Sequence, residues 1–186
     1  RDRDTGQDMI LSNWHVLAGW AYISEGLRIL QPGQGDGGRI RHVVARLTRH
    51  AMKDGIDAAV ATLTGARPMI NHQLGLGPVT GVTMPTTDML VTKSGRTSEI
   101  TEGIITGIEG LKAIPYGGFN RIVKHIIHIA QAPEGGNVSA PGDSGSWWLE
   151  KDTNKAVGIH FAGSNLPEYA LGISMPYVVD ALNIDI

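Results

Sequence analysis

The 186-residue sequence contains no cysteine, which excludes disulfide bonds, thiol chemistry and cysteine-ligated metals. Its formal net charge is only −2, and its basic residues are scattered along the chain. This pattern lacks the basic footprint of a nucleic-acid-binding protein or a polybasic membrane-binding protein. No apolar run reaches the length needed to cross a bilayer. The lack of cysteine is compatible with both a cytoplasmic and a secreted protein, so the compartment stays open.

The chain is rich in glycine, with 25 residues, and 41% of its residues are hydrophobic. This length and apolar content favour one domain, or two fused half-domains, with a substantial core. Many short β-branched segments between Gly and Pro turns predict an all-β barrel or sandwich. We expect a linker at 67–78 and a terminal helix at 176–183, which begins at Pro176. The strand candidates are 9–12, 21–30, 39–49, 58–63, 89–93, 99–107, 121–131, 146–150, 155–161 and 169–174.

A candidate nucleophile lies in the stretch Pro-Gly-Asp-Ser-Gly-Ser, where Ser144 stands on a glycine-flanked turn. Gly142 and Gly145 remove side-chain bulk, so a substrate carbonyl can approach the hydroxyl and the neighbouring backbone N–H groups. Ser139 and Ser146 are competing hydroxyls, but neither has glycine on both sides. A serine needs a base to take its proton and a third group to orient that base.

Upstream segments contain a histidine and an acid suited to those roles. His15 follows a short apolar strand, in Ser-Asn-Trp-His-Val-Leu-Ala, and Asp57 immediately precedes the apolar strand Ala-Ala-Val-Ala-Thr-Leu. Asp54 is the nearest rival to Asp57 as the acid. His125 and His128 are three apart on a predicted strand, so their side chains should point to opposite faces. Since no other cluster has ligand spacing, we expect neither a metal nor an organic cofactor.

These segments resemble those of the trypsin/chymotrypsin-like serine proteases, and of their bacterial members in particular. Gly-Asp-Ser-Gly at 142–145 is similar to the family's nucleophile segment, and the order His, Asp, Ser along the chain is also the family's. The stretches 94–97 (Ser-Gly-Arg-Thr) and 156–163 (Ala-Val-Gly-Ile-His-Phe-Ala-Gly) resemble bacterial members as well. The resemblance extends over nearly the whole chain.

The resemblance implies two antiparallel six-stranded β-barrels with the catalytic residues in the cleft between them. Residues 1–75 would form the first barrel with His15 and Asp57, 76–175 the second with Ser144, and 176–186 a C-terminal helix. Because His15 lies so near the start of the sequence, we expect the first barrel to be incomplete at its N-terminus. One or two of its strands would then precede Arg1 in the full protein.

The same resemblance implies a serine endopeptidase that acts on a protein or peptide substrate through an acyl-enzyme intermediate. Ser144 would be the nucleophile, His15 the general base and then the general acid, and Asp57 the residue that orients the imidazole. The backbone N–H groups of Gly142 and Ser144 would form the oxyanion hole. For Asp143 three partners are open: a newly cut amino terminus, an arginine, or backbone donors.

The specificity pocket would be built from the approach to Ser144 and from the strand that contains Gly163. Val138 stands where members selective for Lys or Arg have an acid, which argues against that preference. Ser139 and His160 occupy places similar to those that hold a carboxylate in glutamate-selective relatives, so an acidic residue is one hypothesis. The alternative is a packed His160 beside a pocket for small or apolar side chains. The substrate-binding candidates are Val138, Ser139, His160, Phe161, Ala162 and Gly163.

A second interpretation belongs to a different class of function. The chain would keep the protease fold as a binding or regulatory module, inactive until a regulatory partner or an N-terminal segment completes its site. All three candidate catalytic residues are present, which favours the enzyme.

Overall fold

The computed structural model describes residues 1–19, 25–133 and 135–186. The chain folds as two antiparallel β units followed by a C-terminal helix, as the sequence predicts. Of the predicted strand at 21–30, Arg28–Leu30 is observed as a strand and residues 25–27 are turn and coil; residues 21–24 lie outside the described part of the chain. His15 lies in a one-turn helix of the first unit, Asp57 lies just before one of its strands, and Ser144 lies on a turn of the second unit.

In the described part of the chain, the first unit is a four-stranded antiparallel sheet in the order β1 (Met9–Ser12), β4 (Ala59–Leu63), β3 (Val43–His50) and β2 (Arg28–Leu30). Its central strand β4 reads Ala-Val-Ala-Thr-Leu, and the first three of these side chains are buried, as expected for a strand covered on both faces. A one-turn helix, α1 (Trp14–Leu17), follows the first strand and contributes the buried Trp14.

The connection between the units contains a small hairpin that the sequence analysis did not predict. Its strands, β5 (His72–Gln73) and β6 (Gly77–Pro78), pair with each other in a separate two-stranded sheet. They are so short, and so rich in turn residues, that no alternation of apolar and polar residues is visible in the sequence.

The second unit is a closed six-stranded barrel in the order β10-β11-β12-β9-β8-β7. Closure pairs every edge, which removes the exposed strand edges that an open sheet would leave. The strands are β7 (Leu90–Gly95), β8 (Glu99–Tyr116), β9 (Phe119–Gln131), β10 (Trp147–Glu150), β11 (Ala156–Asn165) and β12 (Glu168–Ser174).

Strand β8 is much longer than predicted, because it continues past residue 107 to Tyr116. Register shifts between Ile105 and Lys112 interrupt its alternation, so the sequence pattern stops at the first irregularity. Beyond that point β8 pairs with β9 to a Gly-Gly turn at 117–118. We call this outer part of the hairpin, residues 108–125, the arm.

The terminal helix, α2 (Met175–Ala181), begins one residue earlier and ends two residues earlier than predicted. Its buried side chains join a large hydrophobic cluster that also includes Trp14 of the first unit and Tyr116 and Val123 of the arm. A smaller cluster fills the second barrel around the fully buried Trp148. Since the larger cluster draws on both units, their relative placement is held by shared packing.

Candidate active site

His15 and Asp57 are in direct contact. The Nδ1 atom of His15 lies 2.5 Å from Oδ2 of Asp57, and the backbone N–H of His15 donates to Oδ1 at 3.1 Å. Asp57 is completely buried, whereas the imidazole remains 14% exposed. The carboxylate therefore holds both the backbone and the ring of the histidine, and one edge of the ring is left toward solvent. Asp54, the rival acid, lies in the turn Met52–Asp54.

Two further groups position Asp57. The side-chain amide of the buried Asn13 donates to its backbone carbonyl at 2.8 Å. The hydroxyl of Tyr116, at the end of β8, donates to Oδ2 at 2.7 Å. Sequence reasoning missed Tyr116, because a tyrosine beside a Gly-Gly turn carries no signal that it reaches an acid 59 residues earlier.

Ser144 lies on a tight turn between β9 and β10. Gly142 and Gly145 have φ angles of +106° and +93°, in the region that favours glycine. The N–H groups of Asp143 and Gly145 are used by the carbonyls of Ala140 and His160. Within the described residues, those of Gly142 and Ser144 form no hydrogen bond. The Ser144 hydroxyl donates weakly to the carbonyl of Phe161, at 3.4 Å.

This turn packs directly against the segment that carries His15. A Cβ atom placed on Gly145 would lie 2.2 Å from the hydroxyl oxygen of Ser12 and 3.8 Å from the backbone nitrogen of Asn13. Ser12 ends β1, and Asn13 precedes α1. The serine turn of the second barrel therefore packs against the residues that precede His15. Residue 145 must be a glycine because a Cβ atom there would collide with Ser12.

Asp143 is held from inside the protein by a buried lysine. The Nζ of Lys93 donates to its carboxylate at 2.9 Å, and the hydroxyl of Ser98 donates at 2.5 Å. The backbone N–H groups of Thr97, Ser98 and Ala140 also donate to it. Of the partners that the sequence left open for Asp143, the backbone donors are present. The cation that pairs with its carboxylate is a lysine and not an arginine.

The stretch Ser-Gly-Arg-Thr at 94–97 has a clear structural role in this arrangement. A Cβ on Gly95 would meet the Asp143 carboxyl group at 2.5 Å, so the carboxylate lies directly against the glycine backbone. Burial opposes the charge of Asp143, but the hydrogen bonds from Lys93, Ser98 and the backbone outweigh it and hold the pKa well below the ordinary value. Residues 94–97 therefore bind the buried carboxylate of Asp143, the residue next to Ser144.

A cavity of about 450 Å³ opens beside Ser144. Four of the predicted specificity residues, Ser139, His160, Ala162 and Gly163, line it. The side chains of Val138 and Phe161 lie elsewhere: both are buried, in the cores of the second barrel and of the shared cluster respectively. The other lining residues are Ala140, Pro141, Ser144, Ser164, Asn165 and Leu166.

Among the described residues that line this cavity, His160 is the one imidazole, and it is only 3% exposed. Burial lowers its pKa to about 3, with a smaller contribution from the charge of Lys93. The ring is therefore neutral at physiological pH. Its Nδ1 atom is buried and has no hydrogen-bond partner within the described residues.

Metal sites and membrane-spanning helices are both absent from the described residues. Among the described residues, no group of three or more His, Asp or Glu side chains is placed to hold a metal ion. No helix in the described ranges is long and apolar enough to span a bilayer.

Neither a protein-family model nor a curated protein sequence matches the chain. Solved structures do match. A glutamic acid specific serine protease that uses a histidine triad in substrate binding aligns with a TM-score of 0.70 at 19% identity, over 98% of this chain and 88% of that one. The Nocardiopsis protease aligns with a TM-score of 0.67 at 18% identity, over 98% and 86%. Thermobifida fusca protease A aligns with a TM-score of 0.66 at 19% identity, over 99% and 87%.

These similarities establish the fold. The chain has the chymotrypsin-like double-barrel architecture that bacterial serine proteases share, as its sequence segments indicate. In this fold His15 contacts Asp57, and the Ser144 turn packs against Ser12, three residues before His15.

Proposed function

We propose that the chain is a serine endopeptidase in which Ser144, His15 and Asp57 act as a catalytic triad. The observation that carries the proposal is the contact between Nδ1 of His15 and the buried carboxylate of Asp57, 2.5 Å apart. A carboxylate in this position selects the tautomer that leaves Nε2 as the proton acceptor. The close packing of the Ser144 turn against Ser12 supports a role for that acceptor in activating the hydroxyl.

The proposed reaction proceeds by acyl transfer. The Ser144 oxygen forms a bond to the peptide carbonyl carbon while its proton passes to His15. The protonated imidazole then gives this proton to the leaving amine as the C–N bond breaks, which leaves an acyl-enzyme. A water oxygen then forms a bond to the acyl carbon while its proton passes to His15. The ester C–O bond breaks as the imidazole returns that proton to the Ser144 oxygen, which releases the carboxylic acid and restores the serine.

In the proposed reaction, backbone N–H groups of the Ser144 turn stabilise the tetrahedral intermediate. The N–H groups of Gly142 and Ser144 have no partner among the described residues, so they are available to an oxyanion. The buried Asp143 fixes the turn between them through its bond network. Loss of one such donor typically lowers turnover by about a hundredfold or more.

A fluorophosphonate probe tests this proposal directly, because it reacts with an activated serine and needs no known substrate. We expect the wild-type protein to be labelled and Ser144→Ala to remain unlabelled. Ser146→Ala is the matched control, since it removes a neighbouring hydroxyl and should keep the labelling. Absence of labelling in folded wild-type protein would contradict the enzyme and favour a binding or regulatory module.

For the residue before the scissile bond we propose a small or acidic side chain, and rejection of Lys and Arg. Among the described residues that line the cavity beside Ser144 there is no carboxylate to pair with a cation. The polar groups there are the hydroxyls of Ser139 and Ser164, the amide of Asn165 and a neutral imidazole. Such donors can hydrogen-bond a carboxylate, and one similar structure is that of a glutamic acid specific protease.

A peptide library with all residue types before the cleaved bond tests the specificity. We expect products after small residues or Glu and none after Lys or Arg. If cleavage after Glu is detected, His160→Gln should weaken it relative to cleavage after Ala. Efficient cleavage after Arg would refute the proposed pocket while leaving the triad untouched.

A further inference from the structure

Tyr116 is a buried residue of the second barrel that reaches the acid of the first unit. It ends β8 at the tip of the arm and is only 4% exposed. Its hydroxyl donates to Oδ2 of Asp57 at 2.7 Å, the same oxygen that contacts Nδ1 of His15. The carboxylate therefore has a donor from each unit of the protein.

The ring of Tyr116 is fixed by aromatic neighbours. It packs edge-on against Trp14, with ring centroids 5.9 Å apart and an interplanar angle of 80°. The same ring lies 5.8 Å from the imidazole of His15, centroid to centroid. Aromatic pairs in this geometry are favourable and leave little rotational freedom for the tyrosine hydroxyl.

The arm itself is anchored on the loop that precedes Asp57. The backbone N–H of Lys124 donates to the carbonyl of Gly55 at 2.8 Å. Gly55 is so close that an added Cβ would lie 3.0 Å from the carbonyl oxygen of Ile122. The guanidinium of Arg121 also covers the Trp14 ring at 5.1 Å. These contacts fix the arm, and hence Tyr116, relative to the acid.

The hydroxyl of Tyr116 keeps its proton at neutral pH and can therefore act as a donor. Burial raises its pKa strongly, and the negative charge of Asp57 raises it further. The protonated phenol donates a hydrogen bond to the Asp57 carboxylate and does not compete for the proton of His15.

We propose that Tyr116 is a positioning residue for the triad: its hydrogen bond holds the Asp57 carboxylate in the orientation that aligns His15. The inference rests on the proposed function, because it concerns the acid of that triad. Without the hydroxyl, the imidazole would be the one partner left to the buried Oδ2 among the described residues, and the carboxylate would be freer to turn.

The test compares Tyr116→Phe with the wild type and with Tyr177→Phe. Tyr177 stacks on His125 of the arm, with ring centroids 3.7 Å apart, and is not among the described residues that donate to the Asp57 carboxylate, so it controls for loss of a tyrosine hydroxyl that lies against the arm. We expect Tyr116→Phe to lower kcat about tenfold, the effect of one hydrogen bond to a charged group, with KM changed less than twofold. Tyr177→Phe should change neither constant by more than about twofold.

A spectroscopic measurement separates this inference from the proposed function. The proton between His15 Nδ1 and Asp57 should give a strongly deshielded NMR resonance, which needs no turnover. We expect Tyr116→Phe to shift this resonance and Tyr177→Phe to leave it in place. A fluorotyrosine at position 116, which keeps the ring but changes the donor strength, should shift it as well and serves if the Phe variant does not fold.

Failure of the proposed function and failure of the role of Tyr116 would give different results. Wild-type protein that resists the fluorophosphonate probe would refute the proposed function, and the resonance would still report whether Tyr116 positions the His15–Asp57 pair. An unchanged resonance and unchanged kcat in folded Tyr116→Phe would overturn the inference while the proposed function stands. A rise in KM alone would also overturn it, because that result would place Tyr116 in substrate binding.

Discussion

The ammonium group of Lys93 lies 2.9 Å from the carboxylate of Asp143, and neither side chain is exposed to solvent. A buried ion pair contributes little net stability when complete, but removal of one partner leaves an uncompensated charge in a medium that solvates it poorly. Here the remaining charge would be on Asp143, the residue next to Ser144 in the turn. The pair therefore links the stability of the second barrel to the shape of the serine turn.

Lys93→Met should destabilise the protein by about 3 kcal/mol or more, because it retains volume but leaves Asp143 without its cation. We also expect slower fluorophosphonate labelling, since the turn must rearrange to hydrate or protonate the carboxylate. Urea unfolding and labelling rates provide the two measurements. Lys151→Met is the control: its ion pair with Glu102 is 44% exposed on both sides, so its loss should cost about 0.5 kcal/mol or less. Equal effects of the two variants would contradict this role.

Gly145→Ala should both destabilise the protein and abolish labelling, because the new Cβ would collide with the Ser12 hydroxyl at a φ of +93°. The double variant with Ser12→Ala should recover part of the stability, since the clash is removed and only the backbone strain remains. Gly77→Ala, with a φ of +90° and open space around it, measures that strain alone, about 1–2 kcal/mol. Additive effects of Ser12→Ala and Gly145→Ala in thermal unfolding would show that the two residues are not in contact.

Stability should fall between about pH 6.5 and pH 3 because of His160. The pKa of its imidazole is lowered from 6.5 to about 3 in the folded protein, first by burial and then by the charge of Lys93. In this window the unfolded chain binds a proton that the folded protein excludes, so acid favours unfolding. This proton uptake lowers the free energy of unfolding by at most about 1.4 kcal/mol for each pH unit of acidification. Above pH 6.5 the contribution should not change with pH.

The variant His160→Gln isolates this effect. The difference in unfolding free energy between wild type and variant should change across the window and stay constant above it. His72→Gln, at an exposed position, should leave the pH dependence of the wild type almost unchanged. Parallel curves for wild type and His160→Gln from pH 7 to pH 4 would refute burial of a neutral imidazole.

The triad residues should act as one unit in catalysis. Ser144→Ala, His15→Ala and the double variant should each lose about the same activity, roughly 10⁴-fold to 10⁶-fold in kcat, rather than the product of two separate losses. A chromogenic peptide identified from the library provides the assay, with each variant checked for folding. Full additivity in the double variant would show that the two residues serve different steps.

Local features of the chain made much of the fold predictable. The apolar run at Ala59–Leu63, the Gly-flanked Ser144 and the Pro at the start of the last helix each act through near neighbours, so a pattern reveals them. The outer part of β8 was not predicted, because Gly110 and successive register shifts interrupt its alternation. Its conformation depends on pairing with β9, which no single segment encodes.

By itself the sequence determined the residue types of the site, their order along the chain and the all-β architecture, because turns and strands follow from local steric preferences and apolar periodicity. The tertiary structure alone decided that Lys93 balances Asp143 and that Tyr116 reaches Asp57. These partners are ordinary residues separated by 50 and 59 positions. Their roles arise only when barrel closure and docking of the arm exclude water, since a buried charge must then find its donors within the protein.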